Sequence, residues 1–289
     1  MTIGKAYAEL NMSLSQIYDK QEGANISDWV FEHITGLKNI DRLLNKDEPI
    51  VTPLLLQLQN IKQRLMTNEP VQYVLEEAWF YKRKFTVNRS VLIPRPETEE
   101  LVEWLLTDAK TLKLSRDKPL KILDIGTGSG CIAISIKKEM PDCIVTAIDI
   151  SEEALNVARA NAKSYNADII FKRLDFLNDS HWEDLSVYDI IAINPPYIPI
   201  SEKDVLSANV VNYEPSLALF VTDNDPYIFY KKVALFASTH LSSASRVYSE
   251  VHEKHAQHVA NILYISNLNE ILIKNDIYGK ERMIRASKY

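Results

Sequence analysis

The spacing of apolar positions changes character twice along the 289 residues. Up to about residue 78 it is helical. Leu54, Leu55, Leu58, Ile61 and Leu65 recur at intervals of three and four, the repeat that puts side chains on one helix face. Asp28-Trp29-Val30-Phe31 and Ile40-Asp41-Arg42-Leu43-Leu44 predict shorter helical pieces, and Pro53 suits a first helical turn. Over 79–93 the residues become aromatic and β-branched. Trp79-Phe80-Tyr81 and Phe85-Thr86-Val87, split by Lys82-Arg83-Lys84, predict a β-hairpin. A stiff Pro-rich turn, Leu92 to Glu99, comes next. Glu97 or Thr98 is placed to start a helix from Glu99 to Leu106, and Lys110 to Pro119 reads as a polar connector.

From Leu120 onward strand and helix patterns alternate. Short apolar runs at Ile122–Ile125, Ile144–Ile148, Ile169–Phe171, Asp189–Ile193 and Arg246–Val251 predict strands, with two more near 270–274 and 282–285. Helical patterns fall at Ile132–Lys138, Ser151–Ala162 and Tyr227–Leu241. Ser151 is an N-cap type, with Glu152 and Glu153 in the first turn. Such alternation predicts a parallel α/β sheet with helices on both faces. The domains expected are a helical one over 1–78, a β-hairpin linker over 79–98 and a Rossmann-like α/β domain over 99–289. The helical domain carries no catalytic cluster, so substrate docking and a purely stabilising appendage both remain open.

Composition narrows the class. An apolar fraction of 46% and a charged fraction of 25% are those of a globular protein able to bury a core unaided. No apolar run reaches the ~18 residues of a spanning helix, and the first ten residues lack the pattern of a signal peptide. Two cysteines, Cys131 and Cys143, make neither a disulfide framework nor a metal cluster, and a cytoplasmic setting is expected. The net charge of −6 argues against bare DNA as the main partner.

Candidate chemistry begins at Asp124-Ile125-Gly126-Thr127-Gly128-Ser129-Gly130, which follows a strand and opens a helix. Glycines there let a ligand approach the backbone and meet helix N-terminal amides. Asp149 lies 23 residues beyond Gly126, at the end of the next strand, where a carboxylate accepts both hydroxyls of a ribose. A dinucleotide fingerprint would need glycine at Cys131. The tighter loop, with Asp124 before it to meet an amine, fits S-adenosylmethionine better than NAD. Asp175 and Phe176, after the third strand, are placed to meet an adenine amine and ring face.

Asn194-Pro195-Pro196-Tyr197 follows the fourth strand directly, and ligands of open α/β sheets sit beyond such strand ends. Methylating an amide or aromatic amine is difficult because the nitrogen lone pair is delocalised. The Asn194 side-chain carbonyl and the Pro195 backbone carbonyl can accept the two N–H groups. The prolines fix the direction of these acceptors, and Tyr197 can pack on the planar target. His252, His255 and His258 have the spacing of one helix face, but nothing completes a metal site, and no metal is expected.

The runs Leu92-Ile93-Pro94-Arg95-Pro96-Glu97-Thr98-Glu99, Asp124 to Gly130, Asn194-Pro195-Pro196-Tyr197-Ile198 and Tyr213-Glu214-Pro215 together resemble the release-factor glutamine methyltransferases, the PrmC or HemK family, in order and spacing. Pro70-Val71-Gln72-Tyr73 and Gly279-Lys280-Glu281-Arg282 are similar to the family's remaining signatures. The resemblance implies a class I S-adenosylmethionine-dependent methyltransferase sheet, and release factors as substrate and partner, methylated at the glutamine of their Gly-Gly-Gln loop. It implies that Gly126, Thr127, Gly128, Ser129, Gly130, Asp149, Asp175, Phe176 and Asn194 bind cofactor. Asn194, Pro195, Pro196 and Tyr197 would carry catalysis, and Arg95, Pro96 and Glu97 would shape the substrate pocket. Neither membrane nor DNA contact is expected, and the chain is expected to be a monomer. Because the Asn-Pro-Pro-Tyr loop is shared with nucleic-acid methyltransferases, N6-adenine or N2-guanine methylation is the alternative. Three usual family glycines are replaced, within Glu76-Glu77, Asp223-Asn224-Asp225 and Ser242-Ser243-Ala244-Ser245, which puts loop geometry in question.

Overall fold

The computed structural model describes residues 1–114 and 118–288. The chain divides into two compact units, residues 1–77 with 207–213, and residues 78–206 with 214–289.

The first unit is helical: α1 (Ile3–Leu14), α2 (Lys20–Thr35), α3 (Asn39–Leu44), α4 (Thr52–Leu65) and α5 (Val71–Leu75). Thr2 and Asp19 cap α1 and α2 by accepting backbone N–H bonds, and Gly36 ends α2 in the left-handed conformation that favours glycine. Pro53 lies in the first turn of α4. Asp28–Phe31 proves to be the middle of the 16-residue α2 and not a short separate piece. Leu10, Leu14, Val30, Phe31 and Leu65 are fully buried at the centre of the bundle, each worth about 1.5–3 kcal/mol of burial. A later segment, α9 (Ala208–Tyr213), belongs to this unit, and the Tyr213 hydroxyl donates to the Thr67 carbonyl at 2.8 Å.

The hairpin strands are β1 (Glu77–Phe80) and β2 (Arg83–Thr86). Their two-residue turn puts Tyr81 and Lys82 both at positive φ, 46° and 63°, the twist a tight hairpin needs. In the second unit, α6 (Pro96–Leu114) starts earlier and runs further than its charge pattern predicts. Pro96 occupies the first turn, where its missing N–H is not needed. Ala109 and Leu112 extend the buried stripe of Leu101, Val102, Leu105 and Leu106. The proposed polar connector is therefore helical through residue 114, and 115–117 lie outside the described residues.

The sheet contains β3 (Lys121–Ile125), β4 (Ile144–Asp149), β5 (Ile170–Arg173), β6 (Tyr188–Ile193), β9 (Leu241–Glu250), β10 (Asn269–Asn275) and β11 (Glu281–Lys288) in the order β10-β11-β9-β6-β3-β4-β5. Strands β5, β4, β3, β6 and β9 are parallel, and β11 and β10 are antiparallel additions. Between them run α7 (Cys131–Glu139), α8 (Glu152–Ser164), α11 (Ile228–His240) and α12 (Ala256–Ile265). Leu123, Ile125, Ile191 and Ile193 pack into one core with Phe236 and Val259, while Ile122, Ile190 and Ala192 pack into the other with Leu101 and Ile132. Both faces are buried, so the central strands are nearly all apolar. A short parallel pair, β7 (Ile198–Pro199) and β8 (Phe220–Val221), flanks α10 (Ser216–Leu219). The chain order runs outward from β3 to β5 and returns to β6 on β3's other side. That reversal opens a crevice past the ends of β3 and β6. In register, Ile125 pairs with Ile193, so Gly126 and Asn194 enter the crevice side by side.

Candidate functional site

Past Ile125 the chain turns through three left-handed glycines, Gly126, Gly128 and Gly130, with φ of 70°, 54° and 81°. Gly126 and Gly128 line the cavity, and a Cβ on either would meet no protein atom. Conformation, and open space for a ligand, require them. Gly130 instead serves packing, because a Cβ there would lie 3.0 Å from Ile134 and 3.2 Å from Ala158. Thr127 and Ser129 are buried, and neither they nor Gly130 line the cavity. Thr127 Oγ1 donates to Asp124 Oδ2 at 2.6 Å, and the Ala133 N–H donates to the same oxygen at 3.2 Å. Asp124 thus braces the turn from below, fully buried, and it does not line the cavity. Burial pushes its carboxyl up to about 7, against those two hydrogen bonds and with a small contribution from Asp149.

Asp149 ends β4 and lines the cavity. Its Oδ2 accepts the Gly128 N–H and its Oδ1 accepts the Ser151 N–H, both at 2.9 Å. Each oxygen keeps a further lone pair, which suits a vicinal diol. Burial raises its pKa, and these two N–H groups oppose the rise. Asp175 also lines the cavity, and its Oδ1 accepts the Leu177 N–H at 3.0 Å. Phe176 borders the cavity, but its ring packs on Trp182 and Phe236 at 5.5 and 5.4 Å. The remaining apolar wall includes Ile150, Leu174 and Leu177. The lining is mostly apolar beside the Asp149 and Asp175 carboxylates, and among the described residues no basic side chain is in the wall.

Asn194, Pro195 and Pro196 also line the cavity. Asn194 Nδ2 donates to Thr98 Oγ1 at 3.1 Å. Tyr197 is half-buried and does not line the cavity. Its hydroxyl donates to Glu250 Oε1 at 3.0 Å, and its ring meets His252 edge-on. Burial and the neighbouring Glu250 charge hold the phenol protonated, well above its ordinary range.

Arg95, Pro96 and Glu97 do not line this cavity; Ser90, Val91 and Leu92 do. The reason is local. Pro96 and Glu97 already belong to the first turn of α6, and Arg95 turns to the buried Glu214 at 2.6 Å. Three groups not foreseen as functional, Thr98, Glu214 and Glu250, hold the loops in place. Glu250 had a usable signal: an acidic residue near the end of the predicted strand Arg246–Val251, at the strand end where ligands gather. The three histidines do not share a helix face. His252 and His255 precede α12, where they pack with Tyr197 and Tyr227, and only His258 lies within it. Among the described residues no group of three or more His, Cys, Asp or Glu is arranged to hold a metal, and no helix is long and apolar enough to cross a membrane.

Known proteins share both sequence and fold with this chain. Residues 106–217 match the methyltransferase small domain, and residues 5–75 match the PrmC N-terminal domain. The release factor glutamine methyltransferase of Flavobacterium psychrophilum is 41% identical over 99% of both chains. That of Bacteroides thetaiotaomicron is 38% identical over 97% of this chain and 98% of its own. In fold alone, a human methyltransferase 10 domain containing protein superposes with a TM-score of 0.51, at 15% identity over 71% of this chain and 89% of its own. With near-complete coverage by such relatives, and a sheet whose switch point joins the glycine loop to Asn194, the chain belongs to the release factor glutamine methyltransferase family.

Proposed function

We propose that the chain transfers the methyl group of S-adenosylmethionine to the side-chain amide nitrogen of the glutamine in the Gly-Gly-Gln loop of peptide-chain release factors, in the compartment where translation terminates. One observation carries the reading. Asn194 stands beside Gly126 at the switch point, and its amide nitrogen is already engaged by Thr98. Its carbonyl oxygen is therefore the pole left to meet a substrate N–H.

The cofactor supplies an electrophilic methyl group. Asp149 holds the ribose hydroxyls, Asp175 takes the adenine amine, and Ile150 and Leu177 enclose the ring. Asn194 Oδ1 accepts one amide N–H of the glutamine and the Pro195 carbonyl accepts the other. These acceptors raise electron density on the nitrogen and aim its lone pair at the methyl carbon. Holding the partners in line contributes several kcal/mol, of the ~7–11 available to well-oriented reactions. Transfer would form the N–CH3 bond as the sulfonium S–CH3 bond breaks, S-adenosylhomocysteine would be the leaving group, and the methylated amide would release one proton to solvent. The test is methyl transfer from labelled cofactor to a purified release factor, beside a copy whose Gly-Gly-Gln glutamine is alanine. Label on the first alone is expected. Label on neither, with cofactor bound, would overturn the substrate and direct the search to RNA and DNA.

A further inference from the structure

Glu250 closes β9 and is 2% exposed. Its Oε2 accepts the Thr98 hydroxyl at 2.7 Å, and its Oε1 accepts the Tyr197 hydroxyl at 3.0 Å. Thr98 Oγ1 in turn accepts from Asn194 Nδ2 at 3.1 Å. The Tyr230 hydroxyl donates to the Glu250 backbone carbonyl at 3.2 Å and pins the strand end. One buried carboxylate therefore reaches both ends of the loop from Asn194 to Tyr197.

The direction of these bonds matters. A threonine hydroxyl carries a single proton. Because Thr98 gives that proton to Glu250, it can offer Asn194 only a lone pair. The amide must then present its NH₂ to Thr98 and keep Oδ1 on the opposite side. A group at position 250 that donated to Thr98 would reverse the chain: Thr98 would donate to Asn194 Oδ1, and the NH₂ would face the cavity. A substrate amide would then meet donors where it needs an acceptor.

We infer that Glu250, acting through Thr98, is a positioning residue that sets the polarity of the Asn194 amide and so makes Asn194 an acceptor for the substrate nitrogen. The inference rests on the methyl-transfer reading above. It requires Glu250 ionised. The groups facing it are Thr98 and Glu97 from α6, Tyr197 from the loop, Tyr230 from α11 and Arg282 from β11. Burial raises the Glu250 pKa above the usual carboxylate range, Thr98, Tyr197 and Arg282 oppose that rise, and Glu97 adds to it. Turnover should accordingly fall on the acid side, as Glu250 takes up a proton and becomes a donor.

The experiment compares Glu250→Gln, Thr98→Val and Thr98→Ser with the wild-type chain, in methyl transfer to a release factor and in calorimetric titration with S-adenosylmethionine. Glu250→Gln keeps shape but leaves one acceptor for the two hydroxyls of Thr98 and Tyr197, and with its NH₂ toward Thr98 it is expected to lower kcat by about 100-fold, the scale of a lost directed hydrogen bond. Its cofactor affinity should stay within about threefold of wild type, well under the tenfold that ~1.4 kcal/mol represents. Thr98→Val should follow it, and its acid limb should flatten. Thr98→Ser, which returns the hydroxyl, should recover turnover. Wild-type kcat in both Glu250→Gln and Thr98→Val overturns the inference, as does a loss in Thr98→Val that Thr98→Ser does not reverse by recovering turnover, or a loss that tracks cofactor affinity. If Glu250→Gln does not fold, the Thr98 pair decides alone. Absence of transfer by the wild-type chain would overturn the methyl-transfer reading itself, and this inference with it.

Discussion

Arg95 and Glu214, 119 positions apart in the chain, meet at 2.6 Å with the Glu214 side chain almost wholly buried. Glu214 also accepts the Ile93 N–H at 3.3 Å. The pair ties the segment carrying Val91 and Leu92 to the one carrying Pro215 and Leu217, and all four line the cavity. Removing one partner of a buried pair costs ~3–5 kcal/mol. Arg95 keeps a third of its side chain in solvent, so about 2 kcal/mol is expected for Arg95→Ala. Urea unfolding should show that loss, and calorimetry a weaker cofactor affinity. An unchanged midpoint with unchanged affinity would mean that the pair holds nothing.

Asp149 lines the cavity and accepts one backbone N–H on each oxygen, which leaves each oxygen a further acceptor site. Hydrogen bonds to a charged group contribute about 1.5–3 kcal/mol each. Asp149→Ala should therefore weaken S-adenosylmethionine binding by about 100-fold, and Asp149→Asn, which keeps one acceptor, by about 10-fold. Equal affinities in calorimetry for wild type and Asp149→Ala would remove the ribose contact from the mechanism.

The central strands were legible because their apolar runs are bounded by glycine and proline and end in chemically distinctive residues. Asp149 and Asn194 fall where the alternating pattern puts strand ends. The extent of α6 was less visible. Charge at Lys110 and Lys113 masks the buried stripe that Ala109 and Leu112 continue. Pairings that span more than a hundred residues were not visible at all. Thr98 meets Glu250 across 152 positions, and no local periodicity encodes such a contact. The partner of Arg95 was equally hidden, since Glu214 lies 119 positions away and meets it only once the sheet has assembled.

Two of the three stretches where the family resemblance leads one to expect glycine hold a side chain at positive φ. Glu76 and Ala244 both sit in the left-handed region, at φ of 56°. Glu76 ends α5, and its N–H donates to the Gln72 carbonyl. Ala244 lies where the pairing of β6 with β9 shifts register between Tyr188 and Ile190. A side chain in this region costs ~1–2 kcal/mol, partly offset by the greater freedom that glycine has when unfolded. Glu76→Gly and Ala244→Gly should each raise unfolding stability by about 0.5–1 kcal/mol. Asp223, Asn224 and Asp225 show no positive φ, so Asn224→Gly should not stabilise. Chemical denaturation of the three variants checks the contrast, and a gain at Asn224 equal to that at Ala244 would rule out backbone strain as the cause.

Asp124 should write its burial into the pH dependence of stability. Its folded pKa is raised to about 7, from an ordinary 3.8, chiefly by burial. The folded protein therefore holds a proton that the unfolded chain has released across that interval, and stability falls as pH rises through it. The contribution is complete below about pH 4 and gone above about pH 7. At about 1.4 kcal/mol per pH unit, the span is on the order of 4 kcal/mol. Asp124→Asn cannot titrate, yet its carbonyl can still accept from Thr127 and Ala133. In urea unfolding of the cofactor-free protein, the variant's stability relative to wild type should climb steadily between pH 4 and 7 and level off above. A difference that stays flat across that interval would mean that Asp124 is already ionised at pH 5, with its charge compensated inside the turn.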